Sequence, residues 1–260
     1  MQRFFFCLAL AGALGSSALP AAAQPRTITV FAAASLTEAF GALAQDFTKQ
    51  TGIAVTLSFG GSDTLATQIK QGAPADVFAS ANLAQMKVVA DAGLVAGDAA
   101  TFAKNRLVAI APKTGGAAFS GPADLAKPGL KVVLAAPTVP VGGYARATFG
   151  KLEGQPGYAP GFAAAVEKNV VSNELDVKAV VTKVALGEGD AGVVYSTDVT
   201  PQVARQVSQF SFPAAVAPDI AYPIAALKGA PNADGARAFV AYVLSAPGQA
   251  ALRARGFLAP

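Results

Sequence analysis

Histidine and tryptophan are absent from the 260-residue chain, and cysteine occurs once, as Cys7. Without histidine there is no Ser-His-Asp or Cys-His catalytic arrangement and no imidazole ligand for zinc, copper or iron. Charge is scarce as well: 14% of residues are Asp, Glu, Lys or Arg, and the formal net charge of +4 is dispersed rather than gathered into a stripe. Nothing resembles a basic face with interleaved aromatics, so nucleic acid is excluded as a partner. Long apolar runs are missing too. The most apolar later stretch, FSFPAAVAPDIAYPIAAL, carries Asp219 and three prolines and cannot span a bilayer.

The opening segment, MQRFFFCLALAGALGSSALPAAA, has a basic start at Arg3, an apolar stretch from Phe4 to Leu14 and small residues ending at Ala23. It is expected to be a secretory signal peptide spanning 1–23. Gly15, Ser16, Ser17 and Pro20 break the apolar run before it reaches spanning length, and Cys7 stands near the start of that run rather than after it, where a lipoprotein cysteine would stand. Removal leaves an exported, periplasmic or otherwise extracytoplasmic, soluble chain without cysteine, long enough to bury a core without disulfides.

Beyond that segment, runs rich in Val, Ile, Phe and Ala alternate with segments of helical period. Strands are expected at 27–33, 53–59, 75–79, 107–112, 132–136, 191–195 and 222–227. Helices are expected at 36–50, 63–71, 83–92, 142–152, 177–186, 233–244 and 246–255. Continuous apolar strands joined by helices indicate an α/β fold with mostly parallel sheets covered by helices. The rhythm restarts after Leu107, and 200–221, with Pro201, Pro213 and Pro218, reads as a connection. Two lobes follow, one of 24–106 plus 220–260 and one of 107–219, with the ligand in the cleft between them.

Several motifs fail on inspection. GEGDAG at 187–192 ends a helix and precedes a strand, the reverse of a dinucleotide site. FGGSDT is no nucleophile elbow, because Thr64 stands where the second glycine belongs and no histidine can serve as base. TFGKLE lacks both the first glycine (Ala145) and the hydroxyl (Leu152) of a phosphate loop. Carboxylate pairs are not excluded by spacing, yet no aromatic groove accompanies them. No catalytic residues are expected.

What recurs is an apolar strand, then small or hydroxyl residues, then a helix, at Ser35, Ser62, Val141 and Val177. In parallel α/β sheets such junctions lie at the carboxyl ends of strands, where helix N-termini present unpaired N–H groups. Orphan amides and hydroxyls hold an anion without Lys or Arg. For each serine alone, the simpler alternative is an N-cap of its own helix, and Glu38 would complete a capping box with Ser35.

The runs FAAASLTEAF, SFGGSDTLATQI, GAPADVFASA, PVGGYA and DAGVVYSTD resemble, in order and across nearly the whole exported chain, the molybdate-binding proteins of ABC importers. The resemblance implies a two-lobed type II periplasmic-binding-protein fold and a dehydrated oxyanion, molybdate or tungstate, held between the lobes by neutral donors. It assigns Ser35 and Ser62 as hydroxyl ligands, Val141 and Val177 as amide donors and Tyr195 as a phenol donor. It further implies an ABC permease as partner, no cofactor, no direct metal-cation ligand and a monomer. Asp63 and Asp176 stand beside two of these donors, so the reading requires both carboxylates to point away or to cap helices. A receptor for sulfate or another small solute and a secreted carboxylate-dependent hydrolase are the alternatives. Because none of the proposed donors titrates between pH 6 and 8, affinity is expected to be level there.

Overall fold

The computed structural model describes residues 27–260. The expected signal peptide, with Cys7, lies outside the described residues. In chain order the elements are β1 (Thr27–Ala33), α1 (Thr37–Thr51), β2 (Ala54–Gly60), α2 (Ser62–Lys70), β3 (Val77–Ala79), α3 (Leu83–Asp91), β4 (Ala100–Asn105) and β5 (Leu107–Pro112). They continue with β6 (Val132–Ala135), α4 (Pro140–Leu152), α5 (Phe162–Asn169), β7 (Val170–Glu174), α6 (Val177–Ala185), β8 (Ala191–Tyr195), β9 (Val207–Ser211), β10 (Ile220–Ala226), α7 (Ala233–Leu244) and α8 (Ala246–Arg253).

Two five-stranded sheets result, ordered β2-β1-β3-β10-β4 and β7-β6-β8-β5-β9. The α/β fold with two sheets is as the sequence implies, but the pairing is not mostly parallel. Each sheet has two parallel and two antiparallel neighbours. The reason lies in how the chain passes between lobes. It leaves the first sheet through β4, with only Arg106 before β5 opens the second, and returns through β9 and β10. Outbound and returning strands lie side by side on both sides of the crossing, β4 against β10 and β5 against β9. Neighbours that carry the chain in opposite directions must run antiparallel.

The central strands are buried along their length, as in β8 and β10, and read as continuous apolar runs. The strands the sequence does not announce, β4, β7 and β9, are all edges. Their sequences, ATFAKN, VVSNE and VSQFS, mix polar residues into the run because one side faces solvent. The stretch 200–221 is accordingly more than a connection, since it contains β9 and the first residues of β10.

One apolar cluster joins the lobes. In the first, Phe40 and Phe47 from α1 meet Phe239 from α7 edge-on. At the crossing, Tyr222 stands edge-on to Tyr195 of the other sheet, ring centroids 5.7 Å apart, and to Phe102 and Phe257.

The carboxyl ends of β1, β2 and β3 in one sheet and of β6, β7 and β8 in the other are positioned by two close approaches. At Gly142, in the first turn of α4, an added Cβ would lie 2.2 Å from the Ala136 carbonyl oxygen and 2.4 Å from that of Ala135. At Gly61, before α2, it would lie 2.4 Å from the Leu175 carbonyl oxygen of the other lobe. Backbone cannot yield at such distances, so only glycine lets these helix starts seat. Gly142→Ala is expected to destabilise the fold by about 1–3 kcal/mol, the usual cost of overpacking. Gly150→Ala, in the same helix with nothing within 4 Å of the new methyl, should instead stabilise by about 0.5–1 kcal/mol. Urea unfolding of the two variants decides it; equal effects would contradict the tight seating of α4.

Candidate functional site

Six strand ends converge on one cavity between the lobes, enclosing about 200 Å³ of empty space including its mouth. The enclosed volume to set against the roughly 300–1,000 Å³ typical for drug-sized organic ligands is only about 10 Å³. From the first lobe come Ala33, Ala34 and Ser35 after β1, Gly60, Gly61 and Ser62 after β2, and Ala81 after β3. From the second come Val139, Pro140 and Val141 after β6, Asp176 and Val177 after β7, and Tyr195 at the end of β8. All five residues singled out from the sequence, Ser35, Ser62, Val141, Val177 and Tyr195, line this cavity, and no Lys or Arg does. Among the described residues, no cluster of three or more His, Cys, Asp or Glu side chains could hold a metal ion.

Neither serine is an N-cap. Ser35 sits inside a 3-10 turn, Ala34–Leu36, whose preceding residue is Ala33, and Ser62 is the first residue of α2 behind Gly61. The Glu38 capping box does not form; its carboxylate pairs with Lys178 of the other lobe at 2.8 Å. Both hydroxyls are instead turned by neighbours. The Ala81 amide donates to Ser62 Oγ at 3.0 Å, and Ser35 Oγ is hydrogen-bonded to the Tyr222 hydroxyl at 3.0 Å. With its oxygen occupied as acceptor from a backbone N–H, the Ser62 hydroxyl has its proton left for the cavity. Val141 and Val177 are buried, and their amides stand in the first turns of α4 and α6, where no intrahelical acceptor exists. The Tyr195 hydroxyl is buried and has no hydrogen-bond partner among the described residues. Burial holds its phenol well above the usual range, so it remains a donor.

The two doubtful carboxylates are disposed of in different ways. Asp176 Oδ1 accepts from the Ala179 amide at 3.0 Å and so caps α6. Asp63 accepts from Thr138 Oγ1 at 2.7 Å across the interlobe gap and does not line the cavity. The arrangement therefore gathers hydroxyls and first-turn amides around one cavity at helix starts, whose dipoles favour negative charge.

Sequence reading misses the shell behind it. Asp198, fully buried, accepts from the Tyr195 amide at 3.2 Å and lies 3.2 Å from Lys178 Nζ. Desolvation pushes its carboxyl up to about 6 against the pull of Lys178 and the Tyr195 amide. Lys178 is held above its ordinary value by Asp198 and Glu38, which outweigh its own desolvation. Asp198 lies within the run DAGVVYSTD, but only its burial marks it out.

The sequence from 28 to 258 matches the family model of bacterial extracellular solute-binding proteins. The molybdate-binding protein ModA of Mycobacterium tuberculosis is 42% identical over 236 residues, 90% of this chain and 85% of that protein. Among solved structures, the periplasmic molybdate-binding protein of Azotobacter vinelandii matches with a TM-score of 0.77 at 23% identity, over 90% of this chain and 99% of that one. The sulfate-binding protein SubI of Mycobacterium tuberculosis reaches 0.77 at 18% identity, over 89% and 86% of the two chains. At these identities the two structures speak to the fold, not to the ligand.

Asp198 gives the site a pH dependence at the lower edge of the window expected to be level. A bound dianion raises the cost of an ionised neighbour, so binding favours the protonated carboxyl. Affinity for a tetrahedral dianion should be level from pH 8 to 7 and strengthen as the pH falls through about 6. The same group adds stability below its ordinary carboxylate value and loses it as the pH rises through about 6. Calorimetric titrations with Asp198→Asn as control test this: the variant should be level throughout, and a level wild-type profile would contradict it.

Proposed function

The chain belongs to the bacterial extracellular solute-binding proteins, and from that membership we propose that it captures molybdate, and tungstate with it, and delivers the anion to an ABC permease. The observation that carries the reading is the convergence of five neutral donors from both lobes on a small cavity without a cation. Ser35 and Ser62 donate through hydroxyls, Val141 and Val177 through amides, and Tyr195 through its phenol. An array of neutral donors, with the Asp176 carboxylate of the lining held as a helix cap, suits a fully deprotonated oxyanion and disfavours phosphate, which keeps a proton near neutral pH and needs an acceptor for it. The 42% identity to a molybdate-binding protein favours molybdate over the smaller sulfate.

The protein acts as a monomeric binding protein, not an enzyme, and takes no cofactor. Among the described residues, 27–106 with 220–260 form one lobe and 107–219 the other, so that closure brings the two donor sets onto opposite sides of the ligand. Export by residues 1–23 puts it in the periplasm or another extracytoplasmic space, in keeping with its family. No helix among the described residues is long and apolar enough to cross a membrane.

Thermal melts with molybdate, tungstate, sulfate and phosphate at equal concentration test the proposal. A ligand at about 100 times its Kd adds about 2.7 kcal/mol of stability. Molybdate and tungstate should raise Tm strongly and the other two little; no shift at millimolar molybdate would sink the assignment. Tyr195→Phe refines the test. Loss of one charge-assisted hydrogen bond should weaken molybdate binding by about 1.5–3 kcal/mol. The ligand-free Tm should hold or rise, because the hydroxyl has no partner to lose. Unchanged affinity would remove Tyr195 from the site.

A further inference from the structure

Ser62 is turned toward the cavity by a backbone amide, whereas Ser35 depends on side chains, and the first links of the chain of bonds behind it have a fixed direction. Asn105, the last residue of β4, accepts at Oδ1 from the Arg106 amide at 2.8 Å. An amide N–H can only donate, so the orientation of the Asn105 side chain follows. Its Nδ2 therefore faces Thr197 Oγ1 at 2.8 Å and the Tyr222 hydroxyl at 3.3 Å, as donor to both. Tyr222, with one lone pair taken by Asn105, keeps its phenol proton to give, and its hydroxyl lies 3.0 Å from Ser35 Oγ, a contact across which either hydroxyl could donate. Where Tyr222 donates, Ser35 has its own proton left for the cavity it lines.

We infer that Asn105, acting through Tyr222, is a positioning residue that sets the Ser35 hydroxyl as a donor toward the ligand and so makes the site selective for fully deprotonated oxyanions. The inference rests on the oxyanion reading above. Neither residue lines the cavity, and both are buried at the crossing between lobes. Asn105 also accepts from Ser196 Oγ at 3.1 Å, beside Tyr195, so one amide group ties the donor of the first lobe to the strand end of the second.

Asn105→Asp reverses the relay. One carboxylate oxygen still accepts from the Arg106 amide, while the other replaces the amide donor and takes the phenol proton of Tyr222. Ser35 then gives its proton to Tyr222 and turns a lone pair toward the anion. The added negative charge weakens binding as well, so a double-mutant cycle with Tyr222→Phe separates the two effects. The charge persists in either background; the relay exists only where the Tyr222 hydroxyl does. By calorimetry with molybdate, Asn105→Asp should cost about tenfold or more beyond what it costs in the Tyr222→Phe background. Tyr222→Phe alone, which keeps the ring against Phe102 and Phe257, should lose several-fold in affinity although its hydroxyl never touches the ligand. Equal costs in both backgrounds overturn the inference. Should Asn105→Asp fail to fold in a melting experiment, Tyr222→Phe decides alone, and wild-type affinity in that variant overturns it. A wild-type chain that ignores molybdate instead overturns the functional reading, which keeps the two failures distinct.

Discussion

A multiply charged anion enclosed by protein with no cation against it can be tolerated only if every polar group around it donates. On the proposed reading, that requirement governs this molecule. The amides of Val141 and Val177 meet it by helix geometry, Ser62 through the Ala81 amide, Ser35 through Tyr222, and Tyr195 through a phenol that burial keeps protonated. A single unoccupied lone pair aimed inward would cost more than the missing bond, since repulsion at low dielectric is not screened by water. The nearest ammonium, Lys178, stands between Glu38 and Asp198 and is spent on them. Carboxylates thus surround the site, and each is either capping, bridging lobes or paired.

The fold supplies the geometry by bringing three parallel strand ends from each sheet to one place. The outbound and returning strands at the crossing give the lobes a shared, buried seam in which Tyr195 and Tyr222 meet edge-on. The lobes also meet through polar contacts, Asp63 to Thr138 and Gln85 to the Thr138 carbonyl, with Glu38 to Lys178 beside Asp198. An apolar seam at the crossing and exchangeable polar contacts between the lobes suit a molecule that opens about the crossing to admit and release its ligand.

Much of this was legible in the sequence, and the limits have physical causes. Central strands are buried on both faces and announce themselves as apolar runs, so β1, β5, β8 and β10 were visible, as were the helices beside them. Edge strands such as VVSNE and VSQFS dilute that pattern with polar residues and were not. A strand-then-helix junction marks a helix start wherever it falls, which is why Ser35, Ser62, Val141 and Val177 could be named before their convergence was known. Pattern alone left the serines as caps or ligands; three-dimensional neighbours far away in sequence, Ala81 and Tyr222, decide their direction. Asn105 and Asp198 are not marked by pattern, because the importance of Asp198 comes from its burial and that of Asn105 from burial and from partners as much as 117 residues away.

The central claim, that neutral donors alone hold the anion, is tested most directly by a crystal structure of the complex with molybdate, located by its anomalous scattering. The account predicts the metal centre in the interlobe cavity, its oxygens within about 2.7–3.1 Å of the hydroxyls of Ser35, Ser62 and Tyr195 and the amides of Val141 and Val177. An anion bound elsewhere, or one touching Lys178 or any other cationic side chain, would contradict it.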